Sequence, residues 1–309
     1  MKLLSKLYQI FNCNKSERFL QNVSKVIKFC FPFITLYLTL FAIGIARYEL
    51  SLVTLHSRIS YLVTMSEGKN SKYVLGRIPE LQQTRLPVEP KIDNPLSILK
   101  SIYYKYDDIN FSAYEDLYEL VISNKDNLSN LNLNGLVLPS VSNPFIDRKV
   151  YDLSAIRIEN TKFIKAYLPC VWFKKTEFVN VDFLLAQMVG SDFAFAVFKN
   201  SDLMSANLSG SNLCGVQFID TTYVDANFSN VNLVGADLSA MTVNSGHYKM
   251  QPNLQGAIYN SKHYSFVYAR KSEFMLPNYH SCKSDLLPPT KFPLGFNPEE
   301  YGMIDISKI

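Results

Sequence analysis

The chain has 309 residues, 48% hydrophobic and 19% charged, with a formal net charge of +4. That balance is ordinary for a folded protein and excludes a disordered polar chain; the mild charge argues against a strongly basic nucleic-acid face and against a strongly acidic one. Five cysteines, Cys13, Cys30, Cys170, Cys214 and Cys282, form no spaced framework of disulfide or metal type.

Residues 1–28 carry Lys2, Lys6, Lys15, Arg18, Lys25 and Lys28 against one acid, Glu17. Phe29 to Ala46 then gives 18 residues without a charge, about 27 Å of helix at 1.5 Å per residue, close to a bilayer core. This reads as a single transmembrane helix and the chain's contact with a membrane. A buried core helix and a cleaved signal peptide are the alternatives; the basic segment ahead of it is long for a signal peptide. Lys15, Arg18, Lys25 and Lys28 on one side outnumber Arg47 and Arg58 on the other, which favours a cytoplasmic N-terminus and an exported remainder. Between Arg47 and Met65, Tyr48, Leu52, Leu55, Ile59 and Leu62 mark one face of an amphipathic helix. That face either packs on its own chain or forms a self-association seam. Gly68, Asn70, Pro79, Pro87, Pro90 and Pro95 make residues 66–96 a linker. Leu96 to Tyr106 is expected to be helical. Ser112 and Glu115 have capping-box spacing and open a second helix, with Leu117, Leu120 and Val121 inward.

From Tyr151 to Ser245 the chain repeats in fives, as in Ala206-Asn207-Leu208-Ser209-Gly210. The large central residue, i, runs from Leu153 to Val243 at every fifth position, and i−2 is small or β-branched in nearly every unit. Five fits neither the helix nor the strand period and implies a corner once per unit. The stretch has 15 charges in 95 positions, nine acids and six bases, and none falls on i or i−2. Both positions therefore point inward, since an unpaired charge is costly to bury. Leu128, Leu133 and Leu138 start the fives early. Leu254 and Tyr259 resume them after a slip of one, with Tyr264 next in the same frame. The tail from residue 265 is rich in Pro and aromatic residues and reads as an extended cap on the last coil.

This pattern resembles the pentapeptide-repeat family, whose units read A(D/N)LXX. The resemblance implies a mainly β fold: a right-handed quadrilateral β-helix with four units per coil. Residues 20 apart would then stack, placing Phe178, Phe198 and Phe218 in one core column and Phe173 and Phe193 in another. A first coil needs its end covered, and the preceding helices stand ready to cap it. The expected layout is a basic segment (1–28), the transmembrane helix (29–46), a helical linker and cap (47–125), the β-helix (126–264) and the tail (265–309). The N-terminal arrangement also looks like that of membrane-anchored bacterial members, for which the family supplies no established activity.

No phosphate loop, paired-cysteine motif or His-x-x-x-His spacing is present in the sequence, and no cofactor or catalytic residue is assigned. His247, His263, His280 and Cys282 are the nearest approach to a metal set and read more simply as scattered surface residues. Asp or Asn at i−1, as at Asp182, Asp192, Asp202, Asn207 and Asn212, reads as a turn residue bonding its own backbone. Cys170 and Cys214 fall at i+2 and i+1 and are expected outside, with no disulfide between them. One feature is not demanded by the repeat. On one side the outward i+1 residues Ile164, Leu184, Met204 and Val224 are all apolar, and Leu185 adjoins them; other sides carry Glu159, Lys174, Lys199 or Ser209. An apolar stripe marks a contact, with the chain's own helices or tail, a second copy, or another protein. The expectation is a non-catalytic, membrane-tethered interaction or scaffold module. Two other readings are a DNA mimic acting on a topoisomerase, which the family resemblance suggests and the charge and apolar helix oppose, and an effector inserted in a host membrane.

Overall fold

The computed structural model describes residues 15–66, 71–82, 86–103, 115–138, 151–240, 252–263 and 287–308. The chain divides into two compact units, Met1–His56 with Arg85–Asn110, and Ser57–Thr84 with Phe111–Ile309.

The first unit contains most of helix α1 (Lys15–Ser66), which runs unbroken for 52 residues and includes Pro32. Its stretch Ser24–Met65 is long and apolar enough to cross a membrane. Val26, Phe29, Phe31, Phe33, Ile34 and Leu36 are all exposed. Helix α3 (Pro95–Ile102) lies in the same unit. Asn94 caps it, its side chain accepting from the backbone N–H groups of Leu96 and Ser97, with Pro95 in the first turn. The helix ends earlier than Tyr106.

In the second unit, Ile59 and Leu62 at the end of α1 are buried, as is Leu55 of the same face in the first unit. Helix α2 (Ser71–Gln82) occupies a stretch read from sequence as linker. Gly76 and Pro79 obscure it, yet Val74, Leu75, Ile78 and Gln82 share one buried face at helical spacing. Helix α4 (Glu115–Ser123) buries Leu117, Tyr118, Leu120 and Val121. Ser112 of the expected capping box is outside the described residues.

The repeat forms a parallel coil. Strands β1 (Arg157–Glu159), β2 (Glu177–Val179), β3 (Val197–Lys199) and β4 (Gln217–Ile219) pair in that order. Their register is Ile158 to Phe178 to Phe198 to Phe218, a step of 20 residues. Three more ladders share that step: Asp152–Trp172–Asp192–Asn212–Asn232, Lys162–Asp182–Asp202–Thr222 and Tyr167–Gln187–Asn207–Asn227. Each coil is thus pinned to the next at four places. The core is a stack of rings: Phe178 on Phe198 at 4.8 Å, Phe198 on Phe218 at 5.3 Å, Phe173 on Phe193 at 5.0 Å and Phe163 on Phe183 at 5.2 Å. Phe173, Phe178, Phe193, Phe198 and Phe218 are all buried.

Small residues at i−2 have a second use besides fitting the corner. Thr176 Oγ1 donates to Leu153 O, Ser191 Oγ to Leu168 O and Ser211 Oγ to Met188 O, each at 2.8–2.9 Å. Every such hydroxyl ties its coil to the central carbonyl of the coil before, so a buried polar atom is satisfied rather than orphaned.

Both ends are interrupted; the frame is kept at the first and slips by one residue at the second. At the start, Asn132 pairs with Lys162 and Val137 with Tyr167, a step of 30. Gln82 of α2 closes this first coil by acting as a strand: its Nε2 donates to Val137 O at 2.8 Å and its Oε1 accepts from Val137 N at 2.9 Å. At the far end, Asn227 pairs with Asn253, and Leu254 and Tyr259 return to the core; Tyr264 is outside the described residues. The C-terminal segment does more than lie over the last coil. Lys291 pairs with Asp237, and strand β6 (Ile304–Asp305) pairs in parallel with β5 (Ile258–Tyr259). Asn260 is the pin: its Oδ1 accepts from Gly235 N and Thr290 Oγ1, and its Nδ2 donates to Lys262 O and Pro288 O.

Candidate interaction face

The corners are made by the last two residues of each unit. In Phe163–Ala166 the Ala166 N–H donates to Phe163 O at 2.9 Å, and Lys165 has φ +58°. A turn closed this way with a positive φ at its third residue is type II, which favours Gly or Asn there. Gly190, Gly210, Gly215 and Gly235 meet that demand, and Asn130, Asn160, Asn180, Asn200 and Asn230 also take a positive φ at i+2, Asn160, Asn180 and Asn200 on a corner without the closing bond. Asx residues at i−1 set up the turn. Asp182 Oδ1 accepts from Leu184 N at 3.0 Å and Asp202 Oδ1 from Met204 N at 2.8 Å. The apparent carboxylate array is therefore backbone architecture. Where no acid is present, amides run as a ladder: Asn207 Nδ2 donates to Gln187 Oε1 and Asn227 Nδ2 to Asn207 Oδ1.

On the corner that follows Phe163, Phe183, Leu203 and Tyr223, the apolar residues stack. Lys165 N donates to Leu184 O, Leu185 N to Met204 O and Ser205 N to Val224 O, all within 3.0 Å. Ile164, Leu184, Met204 and Val224 therefore form one column. Ile164, Leu184 and Val224 are half-buried, while Leu185 is 40% and Met204 37% exposed. Leu185 has φ +60°, a left-handed conformation that an apolar side chain adopts only at a cost. Tyr167, one residue past the same corner, is also exposed.

The C-terminal segment covers a different column. Ala194, Cys214 and Val234 are buried under Leu287 and Ile306, with Ile258, Phe195 and Ile304 beside them. Cys214 is thus inside, not at the surface as its i+1 place implied, and it is disulfide-bonded. Cys170 is a free, exposed thiol, and partial burial pushes its pKa up. The signal for this second column was available: three successive i+1 residues, Ala194, Cys214 and Val234, lack charge.

No group of three or more His, Cys, Asp or Glu suited to a metal occurs among the described residues. His263 is exposed, and His247, His280 and Cys282 are outside the described residues. A cavity of about 610 Å³ is lined by Arg58, Tyr61, Tyr73, Arg77 and Glu80 among others. Arg77 is already engaged there, in an ion pair with Glu80 and over the Tyr73 ring at 5.4 Å.

A parallel coil of five-residue units with a positive-φ corner after most of them, fastened every 20 residues, defines a β-helical repeat protein. Residues 182–221 and 215–241 match the family model described as Pentapeptide repeats, in 8 copies. Residues 182–241 are thus similar to pentapeptide repeats, a family whose proteins fold as right-handed β-helices and serve in general as structural or interaction modules rather than enzymes. No curated protein matches the chain. Among solved structures, HetL, a pentapeptide repeat protein involved in heterocyst differentiation regulation from the cyanobacterium Nostoc sp. strain PCC 7120, is 19% identical over 46% of this chain and 58% of its own, with a TM-score of 0.24. A pentapeptide repeat protein of the Arabidopsis thaliana thylakoid lumen is 24% identical over 36% and 72%, with a TM-score of 0.21. Trypsin-treated QnrB1, a plasmid-mediated fluoroquinolone resistance protein, is 19% identical over 42% and 67%, with a TM-score of 0.22. The chain thus spans only 58% of the length of HetL.

Proposed function

We infer that the protein is a membrane-anchored pentapeptide-repeat protein whose β-helix, four-sided in section, is a non-catalytic interaction or scaffold module. The observation that carries the interaction reading is the apolar corner of Ile164, Leu184, Leu185, Met204 and Val224, where Leu185 and Met204 are exposed, whereas Leu287 and Ile306 help to bury the column of Ala194, Cys214 and Val234. An apolar stripe at a rigid corner suits a protein partner, either a second copy or another chain. Support for an anchor rather than a cleaved leader is the course of α1, which continues well past Ala46 without a break. The disulfide at Cys214 favours an oxidising compartment for the repeat, in accord with the basic residues ahead of the apolar run.

The test is site-specific photo-crosslinking from position 204 in cells, with and without Leu184→Asp. A discrete adduct that Leu184→Asp abolishes, while the purified variant melts as the wild type does, is the expected result. No adduct from position 204, or one indifferent to Leu184→Asp, overturns the assignment of the face.

A further inference from the structure

The coil carries its charges unevenly. Residues 166–170, 186–190, 206–210, 226–230 and 252–256 stack along one side, and none of them is Asp, Glu, Lys or Arg. The other ladders are charged: Arg157 and Glu177 stand on one, Asp182 and Asp202 on the second, Asp192 on the third. Along the middle of the uncharged side runs a ladder of amides. Asn207 Nδ2 donates to Gln187 Oε1, Asn227 Nδ2 to Asn207 Oδ1 and Asn253 Nδ2 to Asn227 Oδ1, at 3.0–3.2 Å. Asn207 Oδ1 and Asn227 Oδ1 also accept from the backbone N–H groups of Ser209 and Ser229. Their acceptor oxygens are thus satisfied within the coil, and covering them with another surface costs little. The far edge is the corner column of Cys170, Gly190, Gly210 and Asn230, stacked by backbone bonds such as Gly190 N to Ser209 O. Tyr167 and Val189 on this side are exposed, as are Leu185 and Met204 on its near corner.

The near corner holds two charges, one at each end. Its i+2 column reads Lys165, Leu185, Ser205 and Asp225, and both charged residues are exposed. No ion pair reaches either side chain among the described residues. They stand three coils apart, about 14 Å at the usual strand spacing, too far to pair with each other. A surface can be laid on its own copy about a two-fold axis in two ways. An axis along the coil brings equal levels together and sets each near corner against the far corner of the second copy. An axis across the coil, between the levels of Leu185 and Ser205, reverses the order of the coils and keeps each corner on its like. Lys165 then faces Asp225 of the second copy, twice over. Leu184 faces Met204, Ile164 faces Val224 and Gln187 faces Asn207, and no like charges meet on the face. Charge complementarity therefore selects the antiparallel order.

We propose that this uncharged side, with the corner of Leu184 and Met204 as its edge, docks on the same side of a second copy running the opposite way, with Lys165 against Asp225 fixing the register. The proposal names the occupant of the corner and rests on that corner being an interaction face. Five rungs of about 4.8 Å and five residues of about 3.3 Å give a face on the order of 400 Å². That is about half of one partner's share in a standard interface. The pair is accordingly transient, and covalent capture reads it better than elution volume does.

Cys170 is a native probe of the order, being free and exposed on the far corner. The antiparallel order sets it against Asn230 of the second copy, and the equal-level order sets it against Lys165. Cys170 and Asn230 have φ of +57° and +56°, so Asn230→Cys asks nothing new of the backbone. The purified full chain, concentrated in a neutral detergent, is treated with a bis-maleimide spanning about 10 Å, the separation of packed faces. Asn230→Cys is expected to give a linked dimer severalfold above the wild type, and Cys170→Ser to remove it. Adding Lys165→Asp, which sets two acids together at both ends of the pair, should lower the yield at least about threefold. Adding Asp225→Lys as well should restore it, and only contact between copies can do so. Linkage through Lys165→Cys in place of Asn230→Cys, or a charge exchange that restores nothing, overturns the pair. If position 204 still gives a photo-adduct with another protein, the interaction face stands without the second copy; if neither experiment gives a product, both fall. Should Asn230→Cys not melt as the wild type does, Ser229→Cys on the same corner takes its place under the same criteria.

Discussion

At the scale of single residues, two demands are made by every unit, and they were unequally legible. The inward demand was plain, because an uncharged i and i−2 recur without exception between Tyr151 and Ser245. The ring stack follows from it. Phe198 lies between Phe178 at 4.8 Å and Phe218 at 5.3 Å and is fully buried. Phe198→Ala is expected to cost about 3–5 kcal/mol by opening a cavity between rigid neighbours, measured by urea unfolding; a loss under about 1 kcal/mol would mean the coils close over the gap. The demand for a positive φ at i+2 was hidden, since Lys165, Leu185, Phe195 and Ser205 satisfy it alongside Asn and Gly. Backbone fastened to coils above and below overrides their local preference. Leu185 is the informative case, because its side chain is half in solvent and gives little back. Leu185→Asn, which matches Asn130, Asn160, Asn180, Asn200 and Asn230 at φ +49° to +62°, should stabilise the coil by roughly 1 kcal/mol. Equilibrium melts of the two proteins decide it, and a less stable variant would show that Leu185 packs on its own coil.

At the scale of elements, the sequence revealed those whose partners are near in the chain. Helix α4 and the coils between Tyr151 and Ala240 are of this kind. Helix α2 was not legible, because Pro79 and Gly76 interrupt a pattern that only its packing face completes. The C-terminal rungs were not legible either: Ile304 pairs with Ile258 and Lys291 with Asp237 across long excursions, and no five-residue frame announces them. What holds these rungs is polar. Burial pushes the Asp305 carboxyl up, but donors from Ser261 and Ser307 outweigh it and leave its pKa below the ordinary value. Ser307 Oγ reaches Asp305 Oδ1 at 2.6 Å. Burial likewise acts upward on Asp237, against Lys291 at 2.8 Å and Ser239, and again the net shift is down. A carboxyl whose folded pKa is depressed contributes stability above its unfolded pKa, and that stability is lost as pH falls through the folded value. Acidification below about pH 4 should therefore release the C-terminal closure first. Amide exchange at Ile304 and Gly256 should accelerate there while Phe178 and Phe198 stay protected, and Asp305→Asn should flatten the dependence. Equal loosening of both regions would assign the acid response to the coil as a whole.

At the scale of the whole molecule, the sequence separates an apolar helix from a repeat but does not say which compartment holds the repeat. The side chains that bear on it became readable only with the fold. Cys214 looked like a surface thiol until the C-terminal segment arrived over it, because the residues that bury it, Leu287 and Ile306, are far along the chain. Its disulfide favours export, as do the lysines before Phe29. Cys170 gives the direct measurement, since it is free and exposed on a rigid corner at φ +57°. Its raised pKa means that a smaller share is thiolate at neutral pH and that reaction with a maleimide quickens as the medium turns alkaline. A membrane-impermeant maleimide applied to intact cells at mildly alkaline pH should label the wild type, and the increment should vanish in Cys170→Ser, which corrects for the other thiols. Labelling only after the inner membrane is opened would place the repeat in the cytoplasm. The Cys214 disulfide would then sit in a reducing compartment, and a cytosolic partner would have to be sought for the corner of Leu184 and Met204.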